Sequence, residues 1–378
     1  MSAEAPLLAG TEDQAQARIV LGGALAAGTP SHAYLFHGPS GTGKRSAARA
    51  LAAELLAEGD ADPDSVRRRV ANGSHPDLTW VAPTGAHVMR VDDVAEAVVT
   101  AATLTPFESR RRVFVLERVE TMNDEVANRL LKTLEDPADF VHLILLTDAP
   151  GRLLETVVSR CQLVRFDPLP AGGLAAALKR EGVPAERAKA CARLALGDGA
   201  RARLLASPEG DKLRSDADAL VAEALAGDAR DPAAPEAWRA LLERAEGRRE
   251  QAAEATEEAG AERLELEPKG RARQGVKREL DEAAKRSGRR ARTEVLDLVL
   301  TLAAIGFRDL ACVAEGAEEA VLGTDRPPAD AAGRDPRRLR EASERCEQTR
   351  LSLELNVTED LAFPALSFRL ASLVGASA

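Results

Sequence analysis

Aromatic side chains are scarce in this chain: one Tyr, two Trp and eight Phe make up 3% of 378 residues. The apolar share is nonetheless an ordinary 45%, carried mainly by Ala and Leu. Such a composition is rich in helix formers and poor in the β-branched and aromatic residues that favour strands, so a helix-rich chain is expected. Cysteine is equally sparse. Cys161, Cys191, Cys312 and Cys346 show no C-x-x-C spacing, which excludes a compact cysteine-only zinc site and gives no disulfide framework. No run of about 18 apolar residues occurs, so no membrane span is expected. The opening MSAEAPLLAGTEDQ lacks a basic stretch followed by an apolar one, so the expected location is cytoplasmic. A formal net charge of -10 argues against a general polyanion binder, while leaving room for a local basic face.

What is present begins with an apolar segment, Ala33–Phe36, that reads as a buried strand and runs into HGPSGTGKRS. Within it, Gly38–Lys44 is a phosphate-binding loop, G-x-x-x-x-G-K, followed by a helical pattern over Lys44–Ala57. Gly38, Gly41 and Gly43 let backbone N–H groups converge on phosphate, the helix N-terminus adds its dipole, and Lys44 would reach the β/γ-phosphates. The next position calls for a Ser or Thr hydroxyl on magnesium. Here it is Arg45, which cannot ligate a metal and adds a second cation. Ser46 stands one residue on, about 100° around the helix, and does not replace the missing hydroxyl.

Further strands are expected at Arg112–Leu116, His142–Thr147 and Leu163–Phe166, with helical segments at Val94–Thr103 and Asp124–Leu134 between them. Strands alternating with helices predict a parallel α/β sheet covered on both faces. The strand VFVL ends in Glu117-Arg118, where a P-loop ATPase carries the carboxylates that hold magnesium and orient water. Glu117 could approach a metal, whereas an arginine at 118 cannot accept the water's proton. A strand ending in surface charges explains the pair equally well.

HPD at 75–77, VFVLERVETMN, NRLLKTLEDP at 128–137, LILLT and Ser159-Arg-Cys161 resemble, in order and spacing, the bacterial DNA polymerase III clamp-loader subunits, which are AAA+ proteins. The resemblance is dense over about residues 15–170. It implies an AAA+ P-loop domain at 1–168, a small helical lid domain at 169–215, and an all-α collar domain at 216–378 containing a highly charged stretch, 239–292. The family's motor subunit has an intact phosphate loop, an acidic pair after the second strand and a four-cysteine zinc module. This chain departs from all three, since Glu54 to His75 contains no cysteine. It therefore resembles the stator-like, non-motor member, with no zinc and with ATP open as a ligand of the loop. A motor subunit with a divergent loop is the alternative, and a P-loop kinase or regulator outside replication is a more remote one.

In the resemblance, Arg160 projects across an interface to the γ-phosphate of ATP on a neighbouring subunit, an arginine finger acting in trans; taken alone, a surface salt bridge is its other reading. Thr147 falls where active relatives sense the γ-phosphate, Arg201 follows the second-domain turn GDGA, and Cys161 reads as a small buried residue. Arg129 and Lys132 lie on a helix that the resemblance places inside a ring, as candidates for approaching DNA phosphates; a solvated helix face is the equal alternative. The implied partners are the gamma/tau motor and delta subunits and, through the assembled complex, the sliding clamp and primed DNA. The chain has no cluster of carboxylates for two-metal polymerase chemistry. The stretch Arg239–Arg292 reads as an exposed helical insertion or hairpin; its tract RSGRRAR could touch nucleic acid, although flanking acids weaken that idea. Beyond it, Val295, Leu298, Val299, Leu302 and Ile305 form an apolar helical stripe, and Leu339–Leu355 and Leu361–Leu373 read as further helices.

Overall fold

The computed structural model of the chain describes residues 8–83, 95–227, 236–266, 270–325, 333–354 and 357–375. Val94, Leu355 and residues 326–332 of the Pro/Gly/Asp-rich segment after Gly323 lie outside the described residues. The chain divides into two compact units: Met1–Gly173 with Gly197–Ala200, and Leu174–Leu196 with Arg201–Ala378.

In the first unit, β1 (Ala33–His37), β2 (Leu78–Val81), β3 (Arg112–Leu116), β4 (Val141–Thr147) and β5 (Gln162–Arg165) form one parallel sheet in the order β2-β3-β4-β1-β5. The helices are α1 (Ala15–Ala27), α2 (Lys44–Ala57), α3 (Pro63–Ala71), α4 (Asp124–Glu135) and the single turn α5 (Glu155–Val158). Alternation along each strand explains why the sheet needs cover on both sides. Tyr34, Phe36, Val113, Val115, Ile144 and Leu146 point to one face, where Leu21 of α1, Leu51 and Leu55 of α2 and Val66 and Val70 of α3 meet them. Leu35, Phe114, Leu116, Leu143 and Leu145 point to the other, covered by Val126, Leu130 and Leu134 of α4.

The expected strand at 112–116 and helix at 44–57 coincide with β3 and α2. Three differences have local causes. Leu78–Val81 is a strand that the sequence pattern does not announce, because LTWV is short and sits at the sheet edge, half-exposed over its first three residues. The segment expected to be helical at 94–103 is, where described, a π-helical turn (Ala95–Thr100) followed by a 3₁₀ turn (Ala101–Thr103) rather than a regular α-helix. Helix α3 is a further element that the apolar pattern does not announce, although its start carries a signal: Asp62 accepts the N–H of Ser65 and Pro63 occupies the first turn.

The regular elements described in the second unit are all helices: α6 (Ala171–Arg180, beginning in the first unit), α7 (Ala185–Leu194), α8 (Gly199–Ala206, also beginning in the first unit), α9 (Pro208–Ala226), α10 (Ala237–Leu266), α11 (Arg271–Ala314), α12 (Pro336–Glu354) and α13 (Glu359–Val374), with a 3₁₀ turn at Glu318–Ala320. The apolar stripe from Val295 to Ile305 is buried, and so are Leu296, Leu300 and Phe307 on the opposite side of α11. That helix is enclosed because α9, α10 and α12 all pack on it. The charged stretch is an antiparallel hairpin of α10 and α11.

Candidate functional site

The carboxyl ends of β1, β3 and β4 converge on one edge of the sheet, where open α/β folds place their ligand sites. The P-loop leaves β1 there. Gly38 takes φ 138°, and a β-carbon on it would fall 1.9 Å from the carbonyl oxygen of Phe166, so only glycine lets the loop pass beside the end of β5. Gly41 takes φ 67°, and its missing β-carbon leaves the room that the Asp198 carboxyl group fills. The turn Gly197–Ala200 is thereby seated on the loop tip: Gly199 donates its N–H to the carbonyl of Gly41 at 3.1 Å, and Ser40 Oγ donates to Asp198 Oδ2 at 3.4 Å.

Lys44 is 6% exposed, and its ammonium group donates to the carbonyls of Gly38 and Pro39 while pairing with Asp148 Oδ1 at 2.7 Å. Arg45 turns across the site instead of outward. Its Nε lies 2.8 Å from Glu117 Oε1, and Trp80 donates its indole N–H to that same oxygen. Glu117 is only 4% exposed, so its charge is held by these two partners rather than by water. Arg118 has φ 52°, a left-handed conformation uncommon outside glycine, and its Nε stands 3.6 Å from Glu120 Oε1. Thr147 is buried and donates its hydroxyl to Glu120 Oε2 at 2.8 Å. Ser46 is exposed and lies against Gly10. The structure thus brings Lys44, Arg45, Glu117 and Thr147 to one edge and turns Ser46 elsewhere. His37, at the end of β1, is held below the usual imidazole range by burial and by the charges of Arg165 and Lys44.

Arg160 follows α5. Its Nη1 donates to the carbonyl of Thr156 at 2.8 Å and its Nη2 pairs with Glu135 Oε1 at 2.6 Å, both at the surface. Burial pushes the thiol of the adjacent Cys161 up to about 12, consistent with a packing role. Arg129 and Lys132 are exposed on α4; Arg129 pairs with Glu125 one turn back at 3.0 Å. Arg201 belongs to the second unit and stands 3.8 Å from Asp297.

His75 is buried and ties down its own turn, with Nδ1 accepting the N–H of Asp77 and Nε2 3.1 Å from Glu108. Asp77 is fully buried and accepts the N–H groups of Phe107, Glu108 and Ser109, fixing the loop that leads into β3. Among the described residues, no group of three or more His, Cys, Asp and Glu side chains could hold a metal ion. No described helix is long and apolar enough to cross a membrane.

Sequence reasoning missed Trp80, Glu120, Glu135, Asp148 and Asp198 as partners. Asp148 could have been found, since it follows Thr147 at a strand end. Trp80 sits on the strand that the pattern concealed, and Asp198 is 157 residues from Gly41, with no local signal joining them.

Residues 13–170 match the family described as "DNA polymerase III, delta subunit". The chain is 40% identical over 143 residues to the DNA polymerase III subunit delta' of Bacillus subtilis, covering 37% of this chain and 43% of that protein. It is 39% identical over 172 residues to subunit delta' of Pseudomonas aeruginosa, covering 43% and 51%. Subunit tau of Bacillus subtilis is 35% identical over 144 residues, covering 36% and 24%. The matched segment thus spans about half the length, or less, of these relatives. Among solved structures, a gamma subunit-related protein of Thermotoga maritima aligns over 95% of this chain and 98% of its own, with 13% identity and a TM-score of 0.46. Over residues 13–170, the chain is similar to the delta' subunits of bacterial DNA polymerase III.

Proposed function

We propose that the chain is a non-motor subunit of a bacterial clamp loader, assisting ATP-dependent loading of the sliding clamp onto primed DNA without hydrolysing ATP itself. The observation that carries the non-motor reading is the Arg45–Glu117 pair at 2.8 Å. The residue replacing the magnesium-binding hydroxyl also engages the carboxylate that would share the metal. Neither donor is then available, and magnesium-ATP does not fit this set of residues. Arg118, a permanent cation, offers no base for the attacking water. Lys44 is held by its own loop and by Asp148, and Asp198 adds a carboxylate beside the loop tip, where phosphate oxygens would be repelled.

In this reading the chemical contribution is Arg160, delivered in trans to the γ-phosphate of ATP on a motor subunit of the gamma/tau type. A guanidinium there stabilises charge developing on the phosphoryl oxygens, an effect worth about 10³–10⁵ in rate where it has been measured. Release from Glu135 costs little: the two side chains are 34% and 52% exposed, and such surface pairs contribute about 0–1 kcal/mol. Residues 169–215 serve as a lid and 216–378 as a collar. Leu361 and Phe368, two turns apart on α13 and 71% and 56% exposed, present apolar surface to neighbouring subunits. Arg129 and Lys132 face DNA phosphates inside the ring. The delta subunit, the clamp and DNA are met in the assembled complex.

The similarity to tau favours a second reading, a motor subunit with a divergent loop. ATP turnover separates the two. The purified chain alone should not hydrolyse ATP, and Arg160→Ala should slow turnover by the complex with its motor subunit. Magnesium-dependent hydrolysis by the chain alone, abolished in Lys44→Ala, would restore the motor reading. Unchanged turnover of the mixed complex with Arg160→Ala would remove the finger.

A further inference from the structure

The hairpin of α10 and α11 has two electrically different edges. On α10, Glu250, Glu254, Glu257 and Glu258 are all exposed, with no cation between them in sequence. On α11, residues 277–292 carry seven cations against three acids. Lys277, Arg278, Lys285, Arg289 and Arg290 are exposed there. Arg290 pairs with Glu294 and Lys285 with Glu282.

Arg278, Lys285 and Arg289 are spaced i, i+7 and i+11, which places them within about 40° on the helix and spreads them over roughly 16.5 Å of its length. Asp281 and Glu282 are carboxylates on the same helix beside this row. The seam between the helices is lined by small residues. Ala245 and Ala284 are buried, and a β-carbon on Gly288 would lie 2.7 Å from the carbonyl oxygen of Arg249. The two backbones approach closely at Gly288, while Arg278, Lys285 and Arg289 are exposed.

We propose that this basic edge is a sequence-independent docking surface for the phosphate backbone of duplex DNA, separate from the P-loop edge and from Arg129 and Lys132. Two observations favour nucleic acid over an acidic protein. Among the described residues between 237 and 314, no large hydrophobic side chain is exposed, whereas a stable protein interface needs an apolar centre. Polar, strongly cationic surfaces are what duplex backbones bind. The row also runs along one helix for about the rise of five nucleotides of a strand, at about 3.4 Å each. With a net charge of -10 on the whole chain and an acidic edge on α10, duplex would be repelled elsewhere and directed to α11.

The test uses the full chain and a fluorescein-labelled 24-base-pair duplex of arbitrary sequence, read by anisotropy at several salt concentrations. Arg278→Glu/Lys285→Glu/Arg289→Glu should weaken binding at least tenfold and reduce the slope of log K against log salt by about 2–3, at about 0.9 for each phosphate no longer neutralised. A companion Arg278→Gln/Lys285→Gln/Arg289→Gln chain, with unchanged circular dichroism, should lose affinity by several-fold, so that unfolding cannot account for the effect. Absence of duplex binding by the unaltered chain at about 50 mM salt overturns the proposal. So does a triple variant that binds as tightly as the parent. Binding to an acidic protein that the triple variant loses, with duplex binding unaltered, would make the edge a protein dock and also overturn it. The measurement needs no motor subunit and no ATP, so its outcome is independent of the clamp-loader reading.

Discussion

Arg45 Nε and Glu117 Oε1 lie 2.8 Å apart, joining the first turn of α2 to the end of β3 across the mouth of the phosphate loop. The pairing matters because the partners differ so much in exposure: the Arg45 side chain is 58% exposed and that of Glu117 only 5%. A carboxylate so far from water needs a counter-charge, and the Arg45 guanidinium supplies it. Trp80 completes the arrangement from the edge strand.

Replacing Arg45 with Thr should therefore restore a magnesium response. The hydroxyl returns, and Glu117 loses its bound cation. In titrations with a fluorescent ATP analogue, Arg45→Thr should bind about 10–100-fold more tightly with magnesium than without it, the equivalent of one charge-assisted contact of about 1.5–3 kcal/mol. The parent chain should show no such difference. Hydrolysis should stay absent, because Arg118 still lacks a proton-accepting group. Equal magnesium dependence in both chains would remove the role given to the ion pair.

Asp77 is the structural anchor of the HPD segment, and its behaviour with pH follows from its surroundings. Burial raises its pKa, but the N–H groups of Ser109, Glu108 and Phe107 together outweigh that and leave it below the usual carboxylate value. A depressed folded-state value means stability that is present above the unfolded value, about 3.9, and is lost as pH falls through the folded one. Asp77→Asn should cost about 1.5–3 kcal/mol at pH 7 by urea titration. The gap between parent and variant should narrow steadily below pH 4. A gap that stays constant down to pH 2.5 would contradict this account.

The parts of this protein legible in its sequence are those coded by neighbouring residues. LILL and VFVL are apolar runs because central strands are buried on both faces, and G-x-x-x-x-G-K between strand and helix specifies the loop. Helix α2 begins at Lys44, directly after the loop glycines, and its Ala/Leu pattern carries it to Ala57. What could not be read depends on partners far apart in the chain. Arg45 announces a missing hydroxyl but not its reach to Glu117, 72 positions away. Asp198 looks like a turn residue until the fold sets it on Gly41. The edge strand at Leu78–Val81 is half-exposed, so the hydrophobic contrast that betrays β3 and β4 is absent.

The second unit holds a buried ion pair whose removal should depend strongly on how it is made. Arg214 Nη1 donates to Asp325 Oδ2 at 2.8 Å, with a second bond from Nη2 to Oδ1; the side chains are 5% and 13% exposed. Arg214→Met takes from a buried carboxylate its two-bonded guanidinium and should cost about 3–5 kcal/mol. Arg214→Met/Asp325→Leu removes both charges and should recover most of that loss, because desolvation of the pair had offset much of its attraction. Urea denaturation of the three chains measures the coupling. A double variant as unstable as the single one would mean that the pair is worth more than apolar packing at this position.

Two glycines of α11 should respond in opposite directions to the same substitution. Alanine in place of an interior glycine contributes about 1 kcal/mol of helix propensity wherever space allows. At Gly275 a β-carbon meets nothing within 4 Å, so Gly275→Ala should stabilise the hairpin by about that amount. At Gly288 the β-carbon would stand 2.7 Å from the carbonyl oxygen of Arg249, part of the α10 backbone that cannot rotate away like a side chain. The helices must then separate, and overpacking of this kind costs about 1–3 kcal/mol, which exceeds the propensity gain. Gly288→Ala should accordingly lower the hairpin's resistance to amide hydrogen exchange while Gly275→Ala raises it. Protection raised by both substitutions would show that the helices are not held together at Gly288.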